Sequence, residues 1–409
     1  MHTATDDRAD TVPADGSLPE EALRGLGTRP FGVYVHVPFC ATRCGYCDFN
    51  TYTAGELGSG ASPASWLQGL KRELDLGARV LGSPPAADTV FVGGGTPSLL
   101  GGDGLAAVLD AVRSSFGLAS GAEVTTEANP ESTSQEFFTT IVGAGYNRVS
   151  LGMQSVAPHV LTFLDRKHTP GRPVTAATEA RAAGFEHLNL DLIYGTPGER
   201  EEDLLASLAA VLDAGVDHVS AYSLIVEDGT ALARKVRRGE APAPEDDVLA
   251  DRYELIDSVL SANGFAWYEV SNWAASPSGR CRHNDGYWRG GDWWGAGPGA
   301  HSHVGGVRWW NVKHPARYAG LLAEGRTPAA GREVLTASAR ATERVMLELR
   351  LAHGLPLDAL DEAGARQATI EMDNGLLEFG ALNKGRCVLT DRGRLVADAI
   401  ALRLITDSV

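Results

Sequence analysis

No run of about 18 or more apolar residues occurs in the sequence, so an ordinary membrane-spanning helix is not expected and any membrane contact would be peripheral. Basic residues are in the minority, 36 Lys and Arg against 52 Asp and Glu, for a formal net charge of −16. That balance offers no broad electrostatic grip on nucleic acid or on anionic lipid. The one basic run, "RKVRR" at 234–238, adjoins "GEAPAPEDD" and reads as a solvated turn. Cysteine is scarce and odd in number, five in 409 residues, which argues against a disulfide framework and for a reducing, cytoplasmic setting. The first residues lack the basic start and apolar stretch of a secretory signal. Their Asp, Pro, Gly and Thr content predicts a disordered tail over residues 1–29.

What is present becomes regular from Phe31. Short apolar strand-like runs, "FGVYVHV" (31–37), "DTVFVGG" (88–94), "AEVTTEAN" (122–129), "NRVSLGMQS" (147–155), "HLNLDLIY" (187–194) and "DHVSAYSL" (217–224), alternate with helical stretches such as 65–81 and 200–215. Strand and helix repeated about six times predict an α/β fold with a parallel sheet and crossover helices. Six repeats are too few for an eight-stranded barrel, so a partial (β/α)6 barrel over residues 30–265 is expected. Loops leaving the C-terminal strand ends gather on one face, where the chemistry of such folds sits.

A further strand is expected at 265–273. Residues 266–332 then hold most of the tryptophans among many glycines, and read as a loop-rich functional segment. Residues 333–409 predict a small helical, winged-helix-like C-terminal domain.

Cys40, Cys44 and Cys47 lie within "HVPFCATRCGYCDFN", at the end of the first expected strand. A C-x3-C-x2-C loop can bring three thiolates to one centre. A closed zinc site takes four ligands, usually as two separated pairs, and Cys281 and Cys387 are remote. An iron–sulfur cube held by three cysteines keeps one iron free for an outside ligand. Zinc completed by His36 is the competing reading.

With "YVHVPFC", "CDF", "GGGTPS", "GMQS" and "DLIYGTPG" in order, the chain resembles the radical S-adenosylmethionine superfamily. Within it, the resemblance is to the branch of oxygen-independent coproporphyrinogen oxidases and heme chaperones, from about residue 30 onward. It implies a [4Fe-4S] cluster on Cys40, Cys44 and Cys47. It also implies S-adenosylmethionine held by Gly94, Gly95, Thr96, Glu127, Gln154, Arg166 and Asp191, with Tyr34, Tyr46 and Ile225 as further contacts. Each of these last three reads equally well as a packing residue.

Oxidases of this branch carry another cysteine two positions after the third. Phe49 stands there, which favours the heme-chaperone side over coproporphyrinogen oxidation. "HNDGYW" matches an H-N-x-x-Y-W signature and points to heme contact by His283, Tyr287 and Trp288; a packed cap over the barrel is the alternative. Implied partners are a heme-accepting client such as a respiratory enzyme and an electron donor for the cluster, with the chain acting as monomer or homodimer.

Overall fold

The computed structural model describes residues 12–57 and 61–405. Its frame is six parallel strands in sequence order: β1 (Phe31–Val37), β2 (Ala87–Gly94), β3 (Leu118–Ala128), β4 (Arg148–Gln154), β5 (His187–Tyr194) and β6 (His218–Ser223). Each forms where the sequence alternates β-branched or aliphatic residues with a second set of side chains. In β1, Val33, Val35 and Val37 are fully buried in the main core, so Tyr34 and His36 face the other side. Helices such as Pro63–Leu81 and Glu201–Asp213 make the crossovers. The first starts at a Ser62–Ser65 capping box and stops at Gly82, whose φ of 75° suits a residue without Cβ.

Six further strands extend both edges. Beyond β6 lies the hairpin β7 (Ala266–Glu269) and β8 (Asn272–Ala274), antiparallel to it. Beyond β1 lie β9 (Asp292–Ala296), parallel to it, then β10 (His301–Val304), β11 (Val307–Asn311) and β12 (Ala329–Val334). The result is a twelve-stranded mixed sheet, a partial barrel whose six-strand centre carries extensions that are antiparallel except for β9.

Four expectations are corrected here. Residues 12–29 do not behave as a tail: Ala22 is buried, Leu18, Leu23 and Leu26 pack on the core, and Thr327 N–H donates to the Ala14 carbonyl at 3.0 Å. Residues 1–11 of the expected tail lie outside the described residues. The single strand expected at 265–273 is a hairpin, because the Glu269 carboxylate accepts from Ser271 N–H at 3.1 Å and from Asn272, tightening the turn. The loop-rich segment at 266–332 is mostly regular. Its tryptophans alternate inward, Trp294 meeting Trp309 at 5.0 Å between ring centroids, and Gly305-Gly306, both with positive φ, close a two-residue hairpin. Likewise, "RKVRR" falls largely on a short helix, Ala231–Arg237, capped by Thr230.

The C-terminal unit has its own core around Val345, Leu349, Ala368, Leu377 and Ile400. Helices Ala337–Glu348, Glu362–Asp373 and Ala397–Ile405 surround the short ribbon β13 (Leu355–Pro356) and β14 (Arg386–Cys387), the expected winged-helix-like arrangement. Arg394 ties it to the barrel by pairing with both oxygens of Asp257 at 3.1 and 3.2 Å while lying over Trp267. No helix among the described residues is long and apolar enough to cross a membrane.

Candidate cofactor site

One face of the curled sheet encloses a cavity of about 460 Å³. The period of two is visible in its lining: Arg148, Ser150, Gly152 and Gln154 on β4, Asn189, Asp191 and Ile193 on β5, and His218, Ser220 and Tyr222 on β6. The cysteine loop closes its top, where Cys40, Cys44 and Cys47 all line the space.

Gly94 and Gly95 seat that loop. Gly94 has φ of 109°, and a Cβ there would stand 2.6 Å from the His36 ring. A Cβ on Gly95 would stand 2.5 Å from the Phe39 carbonyl oxygen. Backbone bonds use the room so made: Gly95 N–H to the Val37 carbonyl and Thr96 N–H to the Phe39 carbonyl, both 2.7 Å. Glycine here is required by the approach of two main chains, one of which carries Cys40.

Glu127, Gln154, Arg166 and Asp191 line this one cavity. Glu127 accepts from Gly94 N–H at 3.0 Å, and burial, with Asp191 nearby, pushes its carboxyl up to about 8. Asp191 accepts from Ser150 and Asn189 at 2.9 and 2.7 Å; burial still raises its pKa. Gln154, at φ of 62°, accepts from Arg166 Nε at 3.0 Å, and Arg166 Nη1 donates to Cys44 Sγ at 3.3 Å. Thr96 Oγ1 points to Cys40 Sγ at 3.7 Å. Burial raises the Cys40 thiol and pushes Cys47 up to about 11. Tyr46 and Ile225 also line the cavity, as does Phe49; Ile225 is 59% and Phe49 56% exposed.

Four expected contacts stand apart from this lining. Tyr34 is held by His36, its hydroxyl 3.0 Å from Nδ1. His283 is 3% exposed, with Nδ1 2.7 Å from the Thr89 hydroxyl and Nε2 2.7 Å from the Tyr287 hydroxyl. Burial pushes its pKa to about 3, so the ring is neutral at ordinary pH. It stacks on Phe91, while Trp288 bonds Glu269. The helix Arg282–Trp288 is thus a plug at the N-terminal end of the strands.

Sequence reasoning missed what anchors that plug. Glu123 and Arg148 form a buried pair at 3.1 Å. Glu123 also accepts from the N–H groups of Arg282 and His283, both at 3.0 Å, and Arg148 donates to the carbonyls of Gly279 and Arg280 at 2.7 and 2.9 Å. Tyr222, a large cavity-lining phenol, was also missed. A charged residue at the inward position of a buried strand was the available signal.

Cys40, Cys44 and Cys47 line one cavity from one loop, and in an iron–sulfur cube each thiolate takes its own iron, so three separate thiols there suit such a group. Donors directed at all three sulfurs, from Thr96, Arg166 and the Phe49 backbone, suit the thiolate form.

The radical SAM superfamily model matches residues 34–211. A heme chaperone HemW of Mycobacterium tuberculosis (strain ATCC 25618 / H37Rv) is 63% identical over 383 residues, covering 94% of this chain and 97% of the relative. The heme chaperone HemW of Bacillus subtilis (strain 168) is 33% identical, covering 90% and 97%. Among solved structures, coproporphyrinogen III oxidase (HemN) from Escherichia coli superposes with a TM-score of 0.81 at 20% identity, covering 96% of this chain and 95% of that one, a likeness of fold. By its motifs, its architecture and these matches, the chain belongs to the HemW family within the radical SAM superfamily.

Proposed function

We propose that this protein is a heme chaperone that binds a [4Fe-4S] cluster through Cys40, Cys44 and Cys47, takes S-adenosylmethionine beside it, and hands heme to a client protein. The observation that carries the reading is the composition of the mouth. Three thiols line one cavity, and the next side chain after "CD" is the exposed apolar ring of Phe49 where an oxidase has a thiol.

Bound there, a cluster gripped at three corners would supply an open iron and a transferable electron. Glu127 and Asp191 offer carboxyl oxygens suited to the amino group or ribose hydroxyls of S-adenosylmethionine, and Gly94 and Gly95 let main chain come close. Phe49 and Ile225 offer apolar surface to one face of a porphyrin, and Arg43 on the same rim suits a propionate. His283 could ligate heme iron only if one of its two hydrogen bonds opened. The client and the one-electron donor are then partners of the mouth.

Anaerobic reconstitution followed by hemin titration tests this. Expected is a saturable Soret change at about one heme per chain, with Ile225→Asp weakening binding at least tenfold. Coproporphyrinogen III decarboxylated to protoporphyrinogen IX without any hemin binding would contradict it and favour an oxidase.

A further inference from the structure

The three cluster sulfurs do not receive equivalent hydrogen bonds. Cys40 faces the neutral Thr96 hydroxyl, and Cys47 faces the Phe49 backbone N–H. Cys44 faces a guanidinium, Arg166 Nη1 at 3.3 Å. Several features of the chain hold that guanidinium in place. The register of β4 against β5 shifts between Gly152 and Gln154, leaving Gln154 at φ of 62°, a strained setting for a residue with a side chain. Its Oε1 thereby accepts from Arg166 Nε at 3.0 Å. Gly152 leaves the necessary space, since a Cβ there would lie 3.1 Å from Arg166 Nη2 and 2.9 Å from Gln154 Nε2. Asp165, just before the arginine, is the other non-glycine residue with positive φ among the described residues, at 53°. Backbone strain is thus concentrated on the two residues that aim Arg166.

We infer that Arg166, oriented by Gln154, sets the reduction potential of the cluster through its hydrogen bond to the Cys44 sulfur, in addition to any contact with S-adenosylmethionine. The inference rests on the cluster proposed above. Reduction adds one electron from an external low-potential donor and breaks no bond, so the bound cluster gains one negative charge. A cation fixed against a ligating sulfur favours that more negative state, and hydrogen bonds to sulfur raise cluster potentials. Arg166 is therefore a positioning residue for the redox centre. It makes the first electron easier to accept before any cofactor arrives.

The test is an anaerobic potentiometric titration followed by electron paramagnetic resonance, on wild type, Arg166→Gln, Arg166→Lys and Gln154→Ala, without and with S-adenosylmethionine. Iron and sulfide are counted first. Wild type taking up neither would sink the cluster proposal itself, a separate outcome. With the cluster loaded, Arg166→Gln should shift the midpoint downward by a tenfold change in the reduction equilibrium, about 59 mV for a one-electron couple, already without S-adenosylmethionine. Arg166→Lys should recover part of the shift, and Gln154→Ala should fall between wild type and Arg166→Gln. If Arg166→Gln fails to load, Gln154→Ala decides, because it keeps the cation and removes only its anchor. Unchanged midpoints, or a shift seen only with S-adenosylmethionine, would overturn the inference.

Discussion

Replacing Gly95 by alanine probes the seat of the cysteine loop directly. The added methyl would sit 2.5 Å from the Phe39 carbonyl oxygen and 3.0 Å from both the Phe39 carbonyl carbon and the Val37 oxygen. Both neighbours are main chain, so no side chain can swing away. Relief requires the loop and strand to separate by several tenths of an ångström, which strains the two 2.7 Å bonds that join them. Overpacking of this kind costs about 1–3 kcal/mol, and each weakened bond up to about 1 kcal/mol more, so about 2–4 kcal/mol is expected. At roughly 2 °C per kcal/mol for a large domain, the first thermal transition of the cluster-free protein should fall by about 4–8 °C. Because Phe39 precedes Cys40, iron uptake on anaerobic reconstitution should fall as well. Gly286→Ala is the internal control: its Cβ meets nothing within 4 Å, in a helix, and should be neutral or stabilising by up to about 1 kcal/mol. A Gly95→Ala protein that melts within 1 °C or so of wild type and loads iron fully would refute the reasoning.

Further outcomes follow from the buried charges. Glu127 has a folded pKa of about 8 against about 4.5 unfolded, so the native state holds the extra proton between these values and stability falls as pH rises through that window. Glu127→Gln removes this burden; its advantage over wild type should grow from pH 5 to pH 9 by at most about 4–5 kcal/mol in urea titrations, and a pH-independent difference would speak against it. Arg148→Ala leaves Glu123 buried without its partner and should cost about 3–5 kcal/mol, whereas Arg148→Met with Glu123→Gln should recover part of that in the same titrations. Glu73→Ala strips the acceptor shared by Gly297 N–H, Asn311 and Tyr318, at 2.7, 2.6 and 2.5 Å, and should lower stability by about 3 kcal/mol or more; a near-neutral urea midpoint would contradict this.

The elements that were legible in the sequence are those with local causes. The six central strands show as short apolar runs, and topology puts the loops at their C-terminal ends on one face, while the individual cofactor-site candidates came from the family resemblance. Glu127, Gln154 and Asp191 reach one cavity because parallel strands deliver their ends to one side. What escaped depends on partners far away in the chain. Glu73 looks like a surface charge on a helix, although it shares the buried face with Trp66, Leu70 and Leu74 and meets residues more than 200 positions later. The β10–β11 hairpin was signalled by "VGGV", a Gly-Gly pair between apolar residues, but the tryptophan-rich composition around it suggested a loop. For His283 the sequence shows an imidazole and not its neighbours. Thr89, on one of its nitrogens, comes from 194 positions earlier in the chain, whereas Tyr287, on the other, sits one turn along the same helix.

The central claim, a cube held by three thiols with one iron left for an outside ligand, is tested most directly by electron paramagnetic resonance of the reduced, anaerobically reconstituted protein before and after adding S-adenosylmethionine. Expected are about four iron and four sulfide per chain and a spectrum that changes on addition, because the ligand takes the free iron. Zinc in place of iron, or a loaded cluster whose spectrum is indifferent to S-adenosylmethionine, would contradict the account.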